Sequence, residues 1–141
     1  MKVLFNHTPA VVAWALQRIP HAHDFGPCEA LGVLDGNRLV AAVVYNNQRD
    51  NNIEMSVAAE GRRWLFRAAL FAFFDYPFNQ LGLGRVTSTI PSGAATKPAR
   101  KFCQHIGFRY EGSVREHYRD GRDAVIFGML RRECRWLGEA A

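Results

Sequence analysis

Among the 141 residues, the side chains with the clearest capacity for chemistry are Glu54, the three cysteines, the pair His21 and His23, and the neighbours His117 and Tyr118. Cys28, Cys103 and Cys134 are odd in number and widely spaced, and no C-x-x-C pair occurs. That pattern supports neither a zinc ribbon nor a dithiol redox site, and it fits reduced thiols. His21-x-His23 lies in a loop-like stretch without a third ligand nearby in the sequence, so solvated histidines are expected there and no metal. No His–Asp arrangement accompanies Cys103 to make it a nucleophile. Glu54 falls in an alternating run that puts Ile53, Met55 and Val57 on one strand face and Glu54 and Ser56 on the other.

These residues need a scaffold, and the chain is long enough for one domain over 1–141 with a real core: 48% of it is hydrophobic, with ten Phe. The apolar N-terminal stretch is interrupted by Pro9, Gln17 and Arg18. It matches neither a signal peptide nor a membrane span, so a cytoplasmic protein without membrane contact is the expectation. A formal charge of +5 points to a polyanionic partner: coenzyme phosphates, nucleic acid or an acidic protein surface.

The pattern predicts strands over 2–5, 29–34, 38–45, 53–57 and 85–90. Helices are expected over 10–19 behind a Thr8 cap, over the apolar stretch 64–78 up to Pro77, and from Thr96 to Gly107. In the last of these, Ala99, Phe102, Cys103 and Ile106 form one stripe at i, i+3, i+4 and i+7. Asp120-Gly121 predicts a two-residue turn closing a terminal hairpin, and residues 131–137 a short final helix. The order β-α-β-β-β-α-β-α-β-β implies an α/β (α+β) fold. Its mixed central sheet of about seven strands has helices on both faces and parallel neighbours where helices cross over.

This order, with "ARKFCQHIGFRYEGSVREHYRDGRDAVIFGML" at its end, resembles the GNAT superfamily of N-acetyltransferases, nearest to its ribosomal-protein and N-terminal-amine branch. The resemblance spans roughly Cys28 to Leu137. It implies two central parallel strands that splay apart, with acetyl-CoA entering from one side and an amine acceptor (a protein N-terminus, a lysine or a small molecule) from the other. On that basis the backbone of Met55, Ser56 and Val57 meets pantetheine and the thioester. Gly61, Arg62, Arg63 and Trp64 stand at the pyrophosphate loop, where free N–H groups and a helix end favour phosphate. Thr96, Ala99 and Phe102 line the coenzyme from the following helix.

The resemblance makes Glu54 the candidate general base, because an amine of pKa about 10.4 must lose a proton before it attacks. An exposed glutamate in an ordinary ion pair is the alternative. Cys103 stands where the family often has an acidic Tyr. It is a candidate donor to the departing thiolate, and equally a core cysteine. His117 and Tyr118 would line the acceptor side. The pyrophosphate loop departs from the family's Q/R-x-x-G-x-G/A pattern. Those departures keep a second reading open: a catalytically degenerate module that binds nucleic acid or protein through its basic surface. A homodimer sharing its last strands would suit the architecture.

Overall fold

The computed structural model describes residues 1–138. Among these, seven strands form one sheet. They are β1 (Lys2–Leu4), β2 (Cys28–Asp35), β3 (Arg38–Arg49), β4 (Asn52–Ala59), β5 (Arg85–Pro91), β6 (Arg109–Val114) and β7 (Ala124–Leu130). The spatial order is β1-β2-β3-β4-β5-β7-β6. Every neighbouring pair is antiparallel except β4 and β5, which are parallel. Helices α1 (Thr8–Leu16), α2 (Arg67–Asp75) and α3 (Lys97–Ile106) supply the layers on either side.

Strand periodicity divides the core into two. Val11, Ala15 and Ile19 pack on Ala30, Ala42, Val44 and Ala58, small side chains that let α1 lie close to one face. Val43, Tyr45, Ile53, Met55 and Val86 point the other way, against Phe73 and Phe74 of α2 and Cys103 and Ile106 of α3. Glu54 and Ser56 therefore share the α1 face with Ala58, as the alternation predicts.

Several boundaries differ from expectation for identifiable reasons. Helix α1 starts at Thr8 and ends at Leu16, and His7 occupies the cap position without a side-chain bond. The Thr8 hydroxyl instead donates to Glu29 (3.0 Å) and accepts the Ala30 N–H (3.3 Å), fastening the helix to β2. Helix α2 begins at Arg67, not Trp64, and Pro77 does not stop it, because a π-helical segment carries it through Tyr76–Gln80. Proline has no N–H to give the carbonyl four residues back, at Phe73. The Tyr45 hydroxyl takes that acceptor at 2.6 Å.

Residues 131–137 contain only a 3₁₀ turn, Arg131–Glu133, rather than the expected helix. Asp120-Gly121 does not join β6 to β7 directly either. It ends a turn closed by the Gly121 N–H on the Tyr118 carbonyl (2.9 Å) inside a longer connection. Asp123 explains the extra length. Its backbone N–H and C=O bond Ser92 just after β5, and its carboxylate accepts the Glu116 N–H. The connection is thereby anchored beside the end of β5.

Candidate active site

β4 and β5 pair only at Asn52–Arg85, Ile53–Val86 and Glu54–Thr87. Beyond Glu54, β4 stays hydrogen-bonded to β3 as far as Ala59, while β5 stays with β7 as far as Pro91. The strands part between these two partners. Pro91 suits the gap, since it leaves no N–H unpaired on the open edge.

The direction of the free backbone groups follows from two bonds. The Glu60 N–H donates to Val40 of β3 (2.8 Å), and the Asn51 carbonyl accepts the Arg85 N–H from the β5 side (3.1 Å). Backbone polarity alternates along a strand. Even-numbered residues of β4 therefore address β3, and the N–H and C=O groups of Met55, Val57 and Ala59 face the gap.

A cavity of about 680 Å³ fills that gap and is lined from both faces of the sheet. β4 contributes Met55, Ser56 and Val57, and β5 contributes Ser88, Thr89 and Ile90. The α3 stripe, Ala99, Phe102, Cys103 and Ile106, lies along it in full. Thr96 also lines it, although its hydroxyl does not cap the helix as expected but ties back to the Pro91 carbonyl (2.5 Å). Gly107, at φ +122°, then closes α3 as predicted.

The loop before α2 reaches the cavity through Gly61, Arg62 and Trp64. Because α2 starts only at Arg67, this loop and not a helix end presents N–H groups there. Gly61 adopts φ +70°, and its carbonyl accepts the Trp64 indole N–H (3.0 Å). Trp64 is buried against Phe73 and Phe102, so it braces α2 against α3. Arg63 points elsewhere, toward Asp35 at 3.8 Å.

On the α1 face the opening is polar. Glu54 stands at the apex, just outside the cavity lining, and accepts Asn47 Nδ2 (2.6 Å) and the Thr89 hydroxyl (3.4 Å). Arg18, His21 and Arg122 line the cavity here. Arg18 is held by Glu60 at 2.8 Å and Arg122 by Asp120 at 2.8 Å. His21 meets the Tyr118 ring edge-on at 5.2 Å, which joins the α1–β2 loop to the β6–β7 connection over the opening. Tyr118 also contacts exposed His117 at 4.9 Å. Neither His117 nor Tyr118 lines the cavity itself.

Burial and the nearby Arg122 guanidinium hold the His21 imidazole below its usual pKa, favouring the neutral ring. Burial pushes the Tyr118 phenol up to about 12. It pushes the Cys103 thiol up to about 12 as well, with a hydrogen bond from Ser88 opposing the shift. Both groups stay protonated at neutral pH. Among the described residues, no group of three or more His, Cys, Asp or Glu side chains is placed to hold a metal ion. No helix there is long and apolar enough to cross a membrane.

The sequence matches no protein-family model, and no curated protein matches it significantly. Solved structures do match. A point mutant of spermidine N-acetyltransferase SpeG from Vibrio cholerae superposes with TM-score 0.75 at 13% identity, over 99% of this chain and 98% of that one. Ribosomal-protein-S5-alanine acetyltransferase from Vibrio fischeri gives TM-score 0.60 at 16% identity, over 73% of this chain and 61% of that one. A GNAT-family acetyltransferase structure from Desulfovibrio desulfuricans gives 0.62 at 18% identity, over 73% and 68%. The chain has the GNAT fold. Because transferases named for spermidine and for an alanine of a ribosomal protein share it, the GNAT fold does not choose the acceptor.

Sequence reasoning missed His21, Arg18 and Arg122 as lining groups, along with Ser88 and Thr89. The two hydroxyls lie on a strand whose alternation was readable. The two arginines and His21 reach the opening only through contacts distant in sequence.

Proposed function

We propose that the protein is an N-acetyltransferase that moves an acetyl group from acetyl-CoA to a primary amine in a ternary complex. The observation that supports this best is the parting of β4 and β5 after Glu54, which leaves the Met55, Val57 and Ala59 backbone groups facing a cavity lined from both sheet faces. The phosphates would lie at Gly61 and Arg62, with the positive end of α3 beside them. Pantetheine would run along the free edge of β4, and a β4 N–H would receive the charge that develops on the thioester oxygen.

In that complex the ammonium form of the acceptor first loses a proton toward Glu54, through the Thr89 hydroxyl or a water at the apex. The free amine then attacks the thioester carbonyl, an amide bond forms and the C–S bond breaks. The proton that the attacking nitrogen gives up in becoming an amide passes, directly or through a water, to the departing thiolate. Cys103, protonated and beside Ser88, is placed to hydrogen-bond that sulfur. An ordinary thiolate, of pKa about 8.5, is a poor match for an acid near 12. The coenzyme sulfur would form its charge in the same apolar surroundings, where its basicity rises too. Neutral His21 and the Tyr118 ring flank the acceptor's approach, where Arg18 and Arg122 are each paired with a carboxylate.

The test is calorimetry with acetyl-CoA, followed by a screen of amines and peptide N-termini for release of free CoA thiol. Micromolar coenzyme binding and amine-dependent thiol release are expected. Salt-steep binding to DNA or RNA with no affinity for CoA would replace this reading with that of a degenerate module.

A further inference from the structure

Strand β3 carries one residue more than the ladder to β4 uses. Asn46 pairs with Glu54 and Arg49 with Asn52, so Asn47 and Gln48 together face Ile53 in a bulge. Asn47 opens that bulge in the left-handed region, at φ +55°. Glycine is the usual occupant of such a position, and an L side chain is strained there. Regular alternation would send the Asn47 side chain to the α2 face, beside Tyr45. The bulge turns it back instead, and its Nδ2 donates to Glu54 Oε2 at 2.6 Å. Asn46, the direct cross-strand neighbour of Glu54, is engaged elsewhere, with its Nδ2 on the Phe25 carbonyl (3.0 Å).

Stability alone does not account for asparagine here. The bond to Glu54 is exposed, and glycine would occupy the bulge without strain. What the amide secures is the direction of one carboxylate. With Oε2 held by Asn47, Oε1 turns to the Thr89 hydroxyl (3.4 Å), which lines the cavity where Glu54 itself does not. The side chains around this carboxylate are neutral. β3 and β5 bring Asn46, Asn47, Thr87 and Thr89, and the β6–β7 connection brings the Tyr118 phenol. Glu60 and Glu111 are paired with arginines, whereas among the described residues no ion pair reaches Glu54.

We propose that Asn47 is a positioning residue for proton removal: the bulge aims its amide at Glu54, so that the carboxylate addresses the acceptor amine through Thr89 at the apex. This rests on the acetyl-transfer reading above and adds the residue that orients its base. Without the amide, the Glu54 side chain is free to swing toward solvent. Fewer bound amines then find the carboxylate in place, although coenzyme and acceptor bind as before.

The experiment compares wild type, Asn47→Gly, Asn47→Asp and Glu54→Gln over a pH series. Acetyl-CoA is the donor, and the acceptor is the fastest of a panel of alkylamines, amino-acid amides and peptides with free N-termini. Asn47→Gly keeps the left-handed backbone and removes only the amide. Its kcat should fall about tenfold, the scale of one lost hydrogen bond to a charged group. The amine KM, the acetyl-CoA affinity and the unfolding midpoint should hold. Asn47→Asp sets a second carboxylate against the first, and like charges that close retain a proton. Activity should fall further at neutral pH and recover toward the Asn47→Gly level as pH rises, a displacement that lost packing does not produce. The unliganded chain gives a reading without turnover: the Asn47 side-chain amide signal should shift as Glu54 titrates and stay still in Glu54→Gln. If Glu54→Gln is impaired while both Asn47 variants keep the wild-type kcat and pH profile, positioning is overturned and the base stands. A lowered midpoint with unchanged kcat in Asn47→Gly assigns the bond to the bulge alone and overturns positioning as well. If Glu54→Gln keeps full activity the base itself falls, and if wild type acetylates no amine the transfer reading falls, each taking the role of Asn47 with it.

Discussion

The two sides of the cleft are built by opposite means. On the α2/α3 side the wall is apolar, continuous and supplied by helices whose stripes recur at regular spacing. On the α1 side the opening is made of loops and polar contacts: the ion pairs Arg18–Glu60 and Arg122–Asp120, the hydrogen bond from Asn47 to Glu54, and His21 against Tyr118. The first can exclude water and enclose a thioester. The second can exchange protons with solvent and discriminate acceptors. Damage to the helical wall should therefore appear as lost stability and donor binding, and damage to the loop side as lost turnover or altered pH dependence.

The largest effect is expected at Trp64, where loop, α2 and α3 meet. Trp64→Ala should cost about 3–5 kcal/mol in denaturant unfolding, with coenzyme affinity lowered in parallel. A variant of unchanged stability would show that the two helices do not depend on this brace. Next comes Glu54→Gln on the opposite side. Turnover at neutral pH should fall at least about a hundredfold, while acetyl-CoA affinity is retained. Full activity in this variant removes Glu54 as the base.

Tyr45→Phe tests how the Pro77 defect is repaired. Removing the hydroxyl leaves the buried Phe73 carbonyl without a donor and should cost about 1–3 kcal/mol. A loss of at most a few tenths would mean the carbonyl finds another partner. Cys103→Ala should slow turnover only about tenfold, the scale of one lost hydrogen bond. Native Cys103 should also resist alkylation near pH 8 until the chain unfolds, because the reactive thiolate is suppressed.

The smallest effect belongs to His21. Its lowered pKa means that the unfolded chain binds more protons as pH falls below about 6.5. Its contribution to stability is therefore present above that value and is lost as pH drops through the folded pKa. His21→Gln should flatten the fall in Tm between neutral and mildly acidic pH. An identical slope in the variant would show that the imidazole is not shielded.

The same contrast explains how much could be read beforehand. The α3 stripe and the alternation in β4 are local periodicities, so the shared face of Ala99, Phe102, Cys103 and Ile106 and the side of β4 that carries Met55 are legible in the spacing, whereas the cavity that the stripe borders is not. The parallel pairing of β4 and β5 follows from the crossover helix α2, but the same rule fails at α1, because β1 and β2 on either side of it pair antiparallel. The start of α2 was misplaced because apolar content ran on through Trp64–Phe66, whereas Trp64 leaves the helix to pack between its neighbours. The terminal hairpin was drawn too tight because Asp120-Gly121 is a strong turn signal. Ser92, distant in sequence, holds Asp123 and opens the connection instead. Contacts such as His21–Tyr118 join residues nearly a hundred positions apart and leave no local pattern.

The account rests on the free edge of β4, and amide chemical shifts measured during a CoA titration probe that edge directly. The N–H signals of Met55, Val57 and Ala59 should move as coenzyme binds, while those of Ser56 and Ala58, bonded to β3, stay nearly still. Saturating coenzyme that leaves the first three unmoved, or moves both sets alike, would contradict a thioester held between the parted strands.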